Sequence, residues 1–440
     1  MTVRLGGRAF VLDPRAAYGT VRGEIESMSR ALQAWLCLLL VLMALGAVGA
    51  IFTIAPGTEV FGTTPSFEWG ILISAYVLFA ITTSGLCLGA SLGTVFGIEL
   101  FRPLEKRHAI LAVLTLTTAF GIIALDLHYP VRMVFGAVFN PSLASPMWWM
   151  GAFYAGYLVF LIVEVWSMFT GHDRIHQWAC TAAAGMAIIA PTTLGAVFGV
   201  LFARSYWFGP FTPVTMLVTA QLAGSALLGI VFFLVVRFQR TGFERGRRLA
   251  IPAIRILLAV GLVASTVLLG RQLVDGLTTA DEAFYDATMV LISGPYAVPF
   301  WIRVIAGLAV PLVLIALPVT RTTLGTGVAA CLAFGGVVMD RLLFVNVGQV
   351  VPGSTLGGVV SDPYVPYTPS LVEISIVIGA FALVAFVYTL VERYADLREA
   401  DAHLGFHLPE FIASVRARIT AGRTVGDADG AHEGNVGIGS

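Results

Sequence analysis

Asp126 and His128 set a carboxylate and an imidazole two positions apart in LDLHYPVRM, residues 125–133, where a long apolar run breaks off. Two such groups can take up and release protons near neutral pH, or simply end a helix in water. Arg132 follows as an ion-pair partner for Asp126 or as a docking contact for another chain. Trp148, Trp149 and Tyr154 then open the next apolar run. Their flat rings can wall a slot for a quinone ring, with the Tyr154 hydroxyl donating to its oxygen. They can equally anchor a helix at a membrane interface.

Four further charges interrupt apolar sequence: Glu164, Arg303 and the adjacent Asp340 and Arg341. A charge inside a bilayer is costly unless it is paired or hydrated, so these read either as ion-pair staples between helices or as steps of a proton route.

Bound metal is not expected. The four cysteines, Cys37, Cys87, Cys180 and Cys331, lie singly in apolar runs without a CxxC pair, which suits small buried side chains better than iron–sulfur or zinc ligands. None of the seven histidines falls in the middle of an apolar run, which argues against axial haem ligands facing each other inside a bundle. His172 and His176 have i, i+4 spacing but fall in a short loop, and no metal site is expected there.

The elements that position these residues are membrane helices. With 58% hydrophobic and 12% charged residues and a mean hydropathy of +0.87 over 440 residues, the chain is too apolar for a soluble globular protein. Strand-type alternation is absent, and a net charge of zero gives no hint of nucleic acid. Ten spans are predicted at about 31–54, 69–98, 109–126, 147–169, 178–202, 213–236, 251–270, 289–317, 324–346 and 371–391. A segment 1–30 precedes them, and a tail 392–440, expected to be disordered at its end, follows the domain 31–391.

Twenty arginines and lysines fall on the side of the termini against three near the opposite loops, which puts both termini in the cytoplasm. The LDLHYPVRM turn is then on the outer face. Gly85, Gly89, Gly93 and Gly97 form a small-residue ladder for close helix packing, and Pro191 and Pro311 are expected kinks. The outer loops at 127–146 and 347–370 are long enough for a lid or a docking surface, and Asp362 to Pro369 should be extended.

Four stretches together resemble the NrfD/PsrC family, the membrane subunits typified by that of polysulfide reductase. They are FEWGILISAYVLFAITTSGLCLGASLG at 67–93, LDLHYPVRM at 125–133, SPMWWMGAFYAGYLVFLIVE at 145–164 and YTPSLVEISI at 367–376. Ten spans and the Pro-Ser-x-x-Glu-Ile entry at 369–374 look like the larger members, found with hydrogenases, sulfite-reduction-associated complexes and alternative complex III.

The resemblance implies an all-α integral membrane protein with two four-helix bundles, spans 2–5 and 6–9, flanked by spans 1 and 10. It implies a bacterial cytoplasmic membrane, no haem or iron–sulfur cluster in this chain, and menaquinone or ubiquinone as substrate near the outer face. The implied partners are a four-cluster ferredoxin-like iron–sulfur subunit and a large catalytic subunit of molybdopterin, nickel–iron or related type. Asp126 and the turn to Pro130 match the family's acidic turn, with His128 where many members have glycine and Tyr129 where many have a basic residue. Asp126 and His128 would exchange protons. Tyr129, Arg132, Trp148, Trp149 and Tyr154 would bind the quinone, and Glu164, Arg303, Asp340 and Arg341 would carry protons. A proton-coupled secondary transporter, or a passive anchor for a redox enzyme, are the alternatives.

Overall fold

The computed structural model describes residues 2–5, 8–11, 28–54, 60–65, 67–127, 139, 141–238, 244–351, 367–395 and 397. A short antiparallel hairpin, β1 (Thr2–Leu5) with β2 (Arg8–Val11), precedes the helices. These are α1 (Arg30–Ile54), α2 (Ile71–Thr94), α3 (Glu105–Asp126), α4 (Pro146–Thr170), α5 (Asp173–Gly199) and α6 (Phe211–Phe238). They continue with α7 (Glu244–Thr278), α8 (Glu282–Ile292), α9 (Ala297–Ala316), α10 (Thr323–Val350) and α11 (Leu371–Tyr394). All but α8 are long and apolar enough to cross a bilayer, which makes ten among the described residues. An even number of crossings brings Arg30 and Tyr394 to one face, the arginine-rich or basic face; the other is the Asp126 face.

The fold is the expected all-α membrane architecture. Helices α2 to α5 pack as one four-helix bundle and α6, α7, α9 and α10 as a second, while α1 and α11 pair alongside and α11 leans on α3. α2 occupies the centre: 83% of its apolar core is buried, against 22% for α1. In a bilayer, where lipid tails are as apolar as leucine, helices associate by close packing over small residues. At the seam between bundles, a Cβ on Gly85 would come to 1.7 Å from the Ala220 carbonyl oxygen of α6, and one on Gly224 to 2.0 Å from the Gly85 carbonyl carbon. Only part of the predicted ladder packs helix on helix, because α2 ends at Thr94 and leaves Gly97 outside it. Gly85 meets α6, Gly89 meets Leu257 of α7, Gly93 meets the 3₁₀ turn Glu99–Leu104, and Gly97 takes a positive φ of 72° to make that turn.

Three boundaries differ from the sequence expectation. The seventh span, expected to end at 270, continues as α7 to Thr278, so Arg271 and Asp275 lie on a helix. The span expected at 289–317 is interrupted: Ser293, Gly294, Pro295 and Tyr296 form a turn that separates α8 from α9, because Gly-Pro ends one helix and starts another. Asp281 starts α8 by accepting hydrogen bonds from the backbone N–H groups of Ala283 and Phe284. The fifth span begins at Asp173 rather than near 178, so His176 lies in a helical turn and not in a loop. The expected kink at Pro311 takes the form of a π-helical segment, Arg303–Ala309, within α9. Proline has no N–H for the carbonyl one turn back, and a widened turn accommodates the missing bond.

Candidate functional site

At the Asp126 face the chain organises itself around Glu373. Ser370 and Glu373 form a capping box at the start of α11, the S-x-x-E pattern written into PSLVE. The same carboxylate reaches further: Oε2 accepts from the N–H of Gly62 at 2.9 Å, and Oε1 accepts from the Tyr367 hydroxyl at 2.8 Å. Tyr367 in turn accepts from the N–H of Ile71 at 2.7 Å and stacks on Phe67 at 4.6 Å. Burial, with the Glu373 carboxylate close by, holds the Tyr367 phenol above its ordinary value, so it remains a donor. Gly70 has no room for a Cβ, which would lie 2.4 Å from Glu373 Oε1. Asp126, the half-buried last residue of α3, lies within electrostatic range of Glu373 and Tyr367.

Replacing Glu373 by alanine orphans these buried donors. About 2 to 3 kcal/mol should be lost, seen as earlier thermal unfolding in detergent and new protease cleavage near Phe67. An unchanged profile would mean that something else holds this loop.

Beside this latch, Gln349 of α10 accepts from the Trp69 N–H at 2.9 Å and donates to the Trp69 carbonyl at 2.8 Å. Trp69 stacks on Trp207, whose indole donates to the Phe344 carbonyl at 2.7 Å, and Phe198 packs edge-on against both indoles. Arg204 donates to the Gln349 carbonyl at 3.1 Å. Its burial lowers the guanidinium from its ordinary value, with Glu68 acting in the opposite direction.

Of the residues singled out from sequence at this face, His128, Tyr129 and Arg132 lie outside the described residues. Trp149 is 38% exposed and donates to the Leu143 carbonyl at 2.8 Å, with Trp148 edge-on against it. That is the geometry of an interfacial anchor. Tyr154 is separated from them in environment: it is buried to 1% inside the first bundle. Its hydroxyl lies beside Ser84 Oγ, and neither atom has a polar partner other than the other. The Tyr76 hydroxyl nearby contacts Met150 Sδ at 3.6 Å.

From there polar groups continue through the bundle toward the basic face. The Thr83 and Thr115 hydroxyls meet at 2.8 Å, and the Tyr157 hydroxyl donates to the Thr83 carbonyl at 3.3 Å with Cys87 close by. Glu164, buried to 1%, has Oε1 3.7 Å from His108 Nε2, while its Oε2 has no partner. His108 is fixed by Nδ1 against the Leu104 carbonyl at 3.0 Å. At the basic end His176 Nε2 meets Glu105 Oε1 at 2.8 Å, with Cys180 Sγ 3.5 Å from the same nitrogen.

The sequence pointed to Glu164 but not to this company. His108, His176 and Glu105 are brought to it only by the packing of α3, α4 and α5.

Arg303, Asp340 and Arg341 come together in the second bundle, away from that column. Asp340 Oδ1 takes Arg303 at 2.5 Å and Oδ2 takes Arg341 Nε at 2.9 Å; Arg341 also contacts Met216 Sδ and lies over the Phe344 ring at 5.0 Å. All three are more than 90% buried. Tyr206, in the loop above, is pushed up to about 12 by burial, opposed by the charge of Arg303.

Residues 59–353 match the family model described as polysulphide reductase, NrfD. A Halobacterium salinarum protein named provisionally as a dimethyl sulfoxide reductase membrane subunit is 25% identical over 416 residues, covering 86% of this chain and 94% of its own. The Hdr-like menaquinol oxidoreductase integral membrane subunit of Archaeoglobus fulgidus is 24% identical, covering 77% and 87%. A selenate reductase subunit of Mesobacillus selenatarsenatis is 22% identical, covering 81% and 93%.

Proposed function

Because this chain belongs to the NrfD polysulphide reductase family, we propose that it is the quinone-interacting membrane subunit of a multi-subunit respiratory oxidoreductase. The observation that carries this reading is the Tyr154 hydroxyl, buried beside Ser84 Oγ with no other polar partner in the bundle that ends at Asp126. A buried donor short of partners is costly, and a quinone oxygen is a partner of the right chemistry. The names of the relatives support the class: each is a subunit of a reductase or of a menaquinol oxidoreductase.

Oxidation of a quinol releases two electrons and two protons, and reduction takes up the same. Asp126 and His128 exchange the protons, while Tyr129, Arg132 and Tyr154 hold the menaquinone or ubiquinone and Trp148 and Trp149, anchored at the interface, flank its way in. The electrons pass to or from a four-cluster ferredoxin-like subunit docked on the Asp126 face, and through it a large catalytic subunit of molybdopterin, nickel–iron or related type. The basic face lies in the cytoplasm of a bacterial cell, in keeping with the positive-inside rule.

Glu164, Arg303, Asp340 and Arg341 are the groups proposed to move protons across the membrane. Glu164 has the stronger support, since hydroxyl and imidazole groups continue on both sides of it. Both oxygens of Asp340 are already engaged by arginine.

The test is Asp126→Asn in the intact complex. Quinone-linked electron transfer should fall about 100-fold, while turnover of the catalytic subunit with an artificial electron carrier is unchanged. Normal quinone-linked turnover would overturn the assignment.

A further inference from the structure

The basic end of the first bundle holds a donor set that quinone chemistry does not use. Glu105 opens α3, His176 stands in the first turn of α5, and Cys180 follows one helical turn later on the same face. One carboxylate oxygen, one imidazole nitrogen and one thiol sulfur lie within 4.8 Å of one another. A fourth donor stands next to them. The Glu164 carboxylate of α4 lies within hydrogen-bond reach of the Cys180 thiol, and its Oε2 is fully buried with no nitrogen or oxygen partner.

The distances suit a tetrahedral ion. Zinc ligands at about 2.0 Å for nitrogen and oxygen and about 2.3 Å for sulfur stand roughly 3.6 Å apart for the N and S pair and 3.3 Å for N and O. Cys180 Sγ is 3.5 Å from His176 Nε2, and Glu105 Oε1, at 2.8 Å, has to back away by only about half an ångström. His176 also has its outer support, since Nδ1 lies 3.3 Å from the Glu164 carbonyl and 3.4 Å from Ser167 Oγ. The Glu105 and His176 side chains are 17% and 11% exposed, so an ion can enter from the basic face without opening the bundle.

We propose that Glu105, His176 and Cys180, with Glu164 as the fourth donor, form a zinc-type divalent cation site that clips α3, α4 and α5 together at the basic face. One thiolate among nitrogen and oxygen ligands selects a borderline transition ion over magnesium or calcium. The site goes beyond the quinone reading and does not depend on Asp126, but it excludes the proton role proposed for Glu164, since an ion that takes this carboxylate removes it from the proton route.

The experiment uses the full-length protein in detergent, purified without a polyhistidine tag and titrated with Zn²⁺ and with Co²⁺. One equivalent should bind, and the cobalt form should show a thiolate-to-metal charge-transfer band in the near ultraviolet. Cys180→Ser should abolish the band and weaken binding by about 100-fold or more. His172→Ala should change neither, because His172 is exposed and turned toward Thr170 and Trp166.

Should the variants fail to fold, alkylation of the wild-type chain decides: zinc must protect Cys180, read peptide by peptide, more than Cys37 or Cys331. Absence of saturable binding, a charge-transfer band that survives Cys180→Ser, or equal alkylation of Cys180 with and without zinc would each overturn the proposal.

Discussion

Asp340→Ala is expected to cost about 3 to 5 kcal/mol of stability, because it leaves two buried guanidinium groups without a counter-charge. Arg303 and Arg341 approach the two oxygens of one carboxylate, and all three side chains are shielded from lipid and water. Desolvating a pair of arginines is tolerable only while that carboxylate faces them. The variant should therefore accumulate poorly in membranes and unfold early in detergent, and Asp340→Asn should fall in between, keeping the shape but not the charge. Adding Arg303→Met to the alanine variant should recover part of the loss. The same series separates a structural from a proton-carrying role: an Asp340→Ala protein of unaltered stability that fails only in proton uptake would make Asp340 a carrier and not a staple.

Gly85→Leu is expected to be at least as damaging. There is no side-chain-sized space between α2 and α6, since even a Cβ at position 85 would overlap the backbone of Ala220. Flexible neighbours can give way to an added methyl group, but a backbone carbonyl on a packed helix cannot do so without moving the helix. Overpacking ordinarily costs about 1 to 3 kcal/mol, and here both bundles would have to separate along their common seam. Gly89→Ala is the control: its nearest neighbour is the mobile end of Leu257 at 3.1 Å, so its effect should be well under that of Gly85→Ala. Equal melting of Gly85→Leu and the wild type would refute the contact.

The sequence exposed the spans because apolar length is a property of each segment alone, and it exposed the Gly85 ladder because small residues repeat on one helix face. It could not show which neighbour each glycine serves. It identified Asp126 and Glu164 as charges out of place, yet read His176 as a loop residue and did not bring Cys180 to it. The reason is physical: Glu105, His108, Glu164, His176 and Cys180 come from three helices whose rotation about their axes is set by packing, and no spacing along the chain records it. The Glu373 latch was half legible. Its capping box is local, whereas its bond to Gly62 spans 311 positions. The break at Ser293–Tyr296 was written in Gly-Pro and was overridden by the hydrophobicity on either side.

The reciprocal hydrogen bonds between Gln349 and Trp69 join the second bundle to the first at the Asp126 face, and the Gly85–Gly224 contact joins them again within the membrane. A seam fastened at two levels resists rocking, which is the motion that carries cargo through alternating-access carriers. In mechanical terms the two bundles form one frame. On the quinone reading, protons would then pass between side chains held in place by that frame, without one bundle rocking against the other.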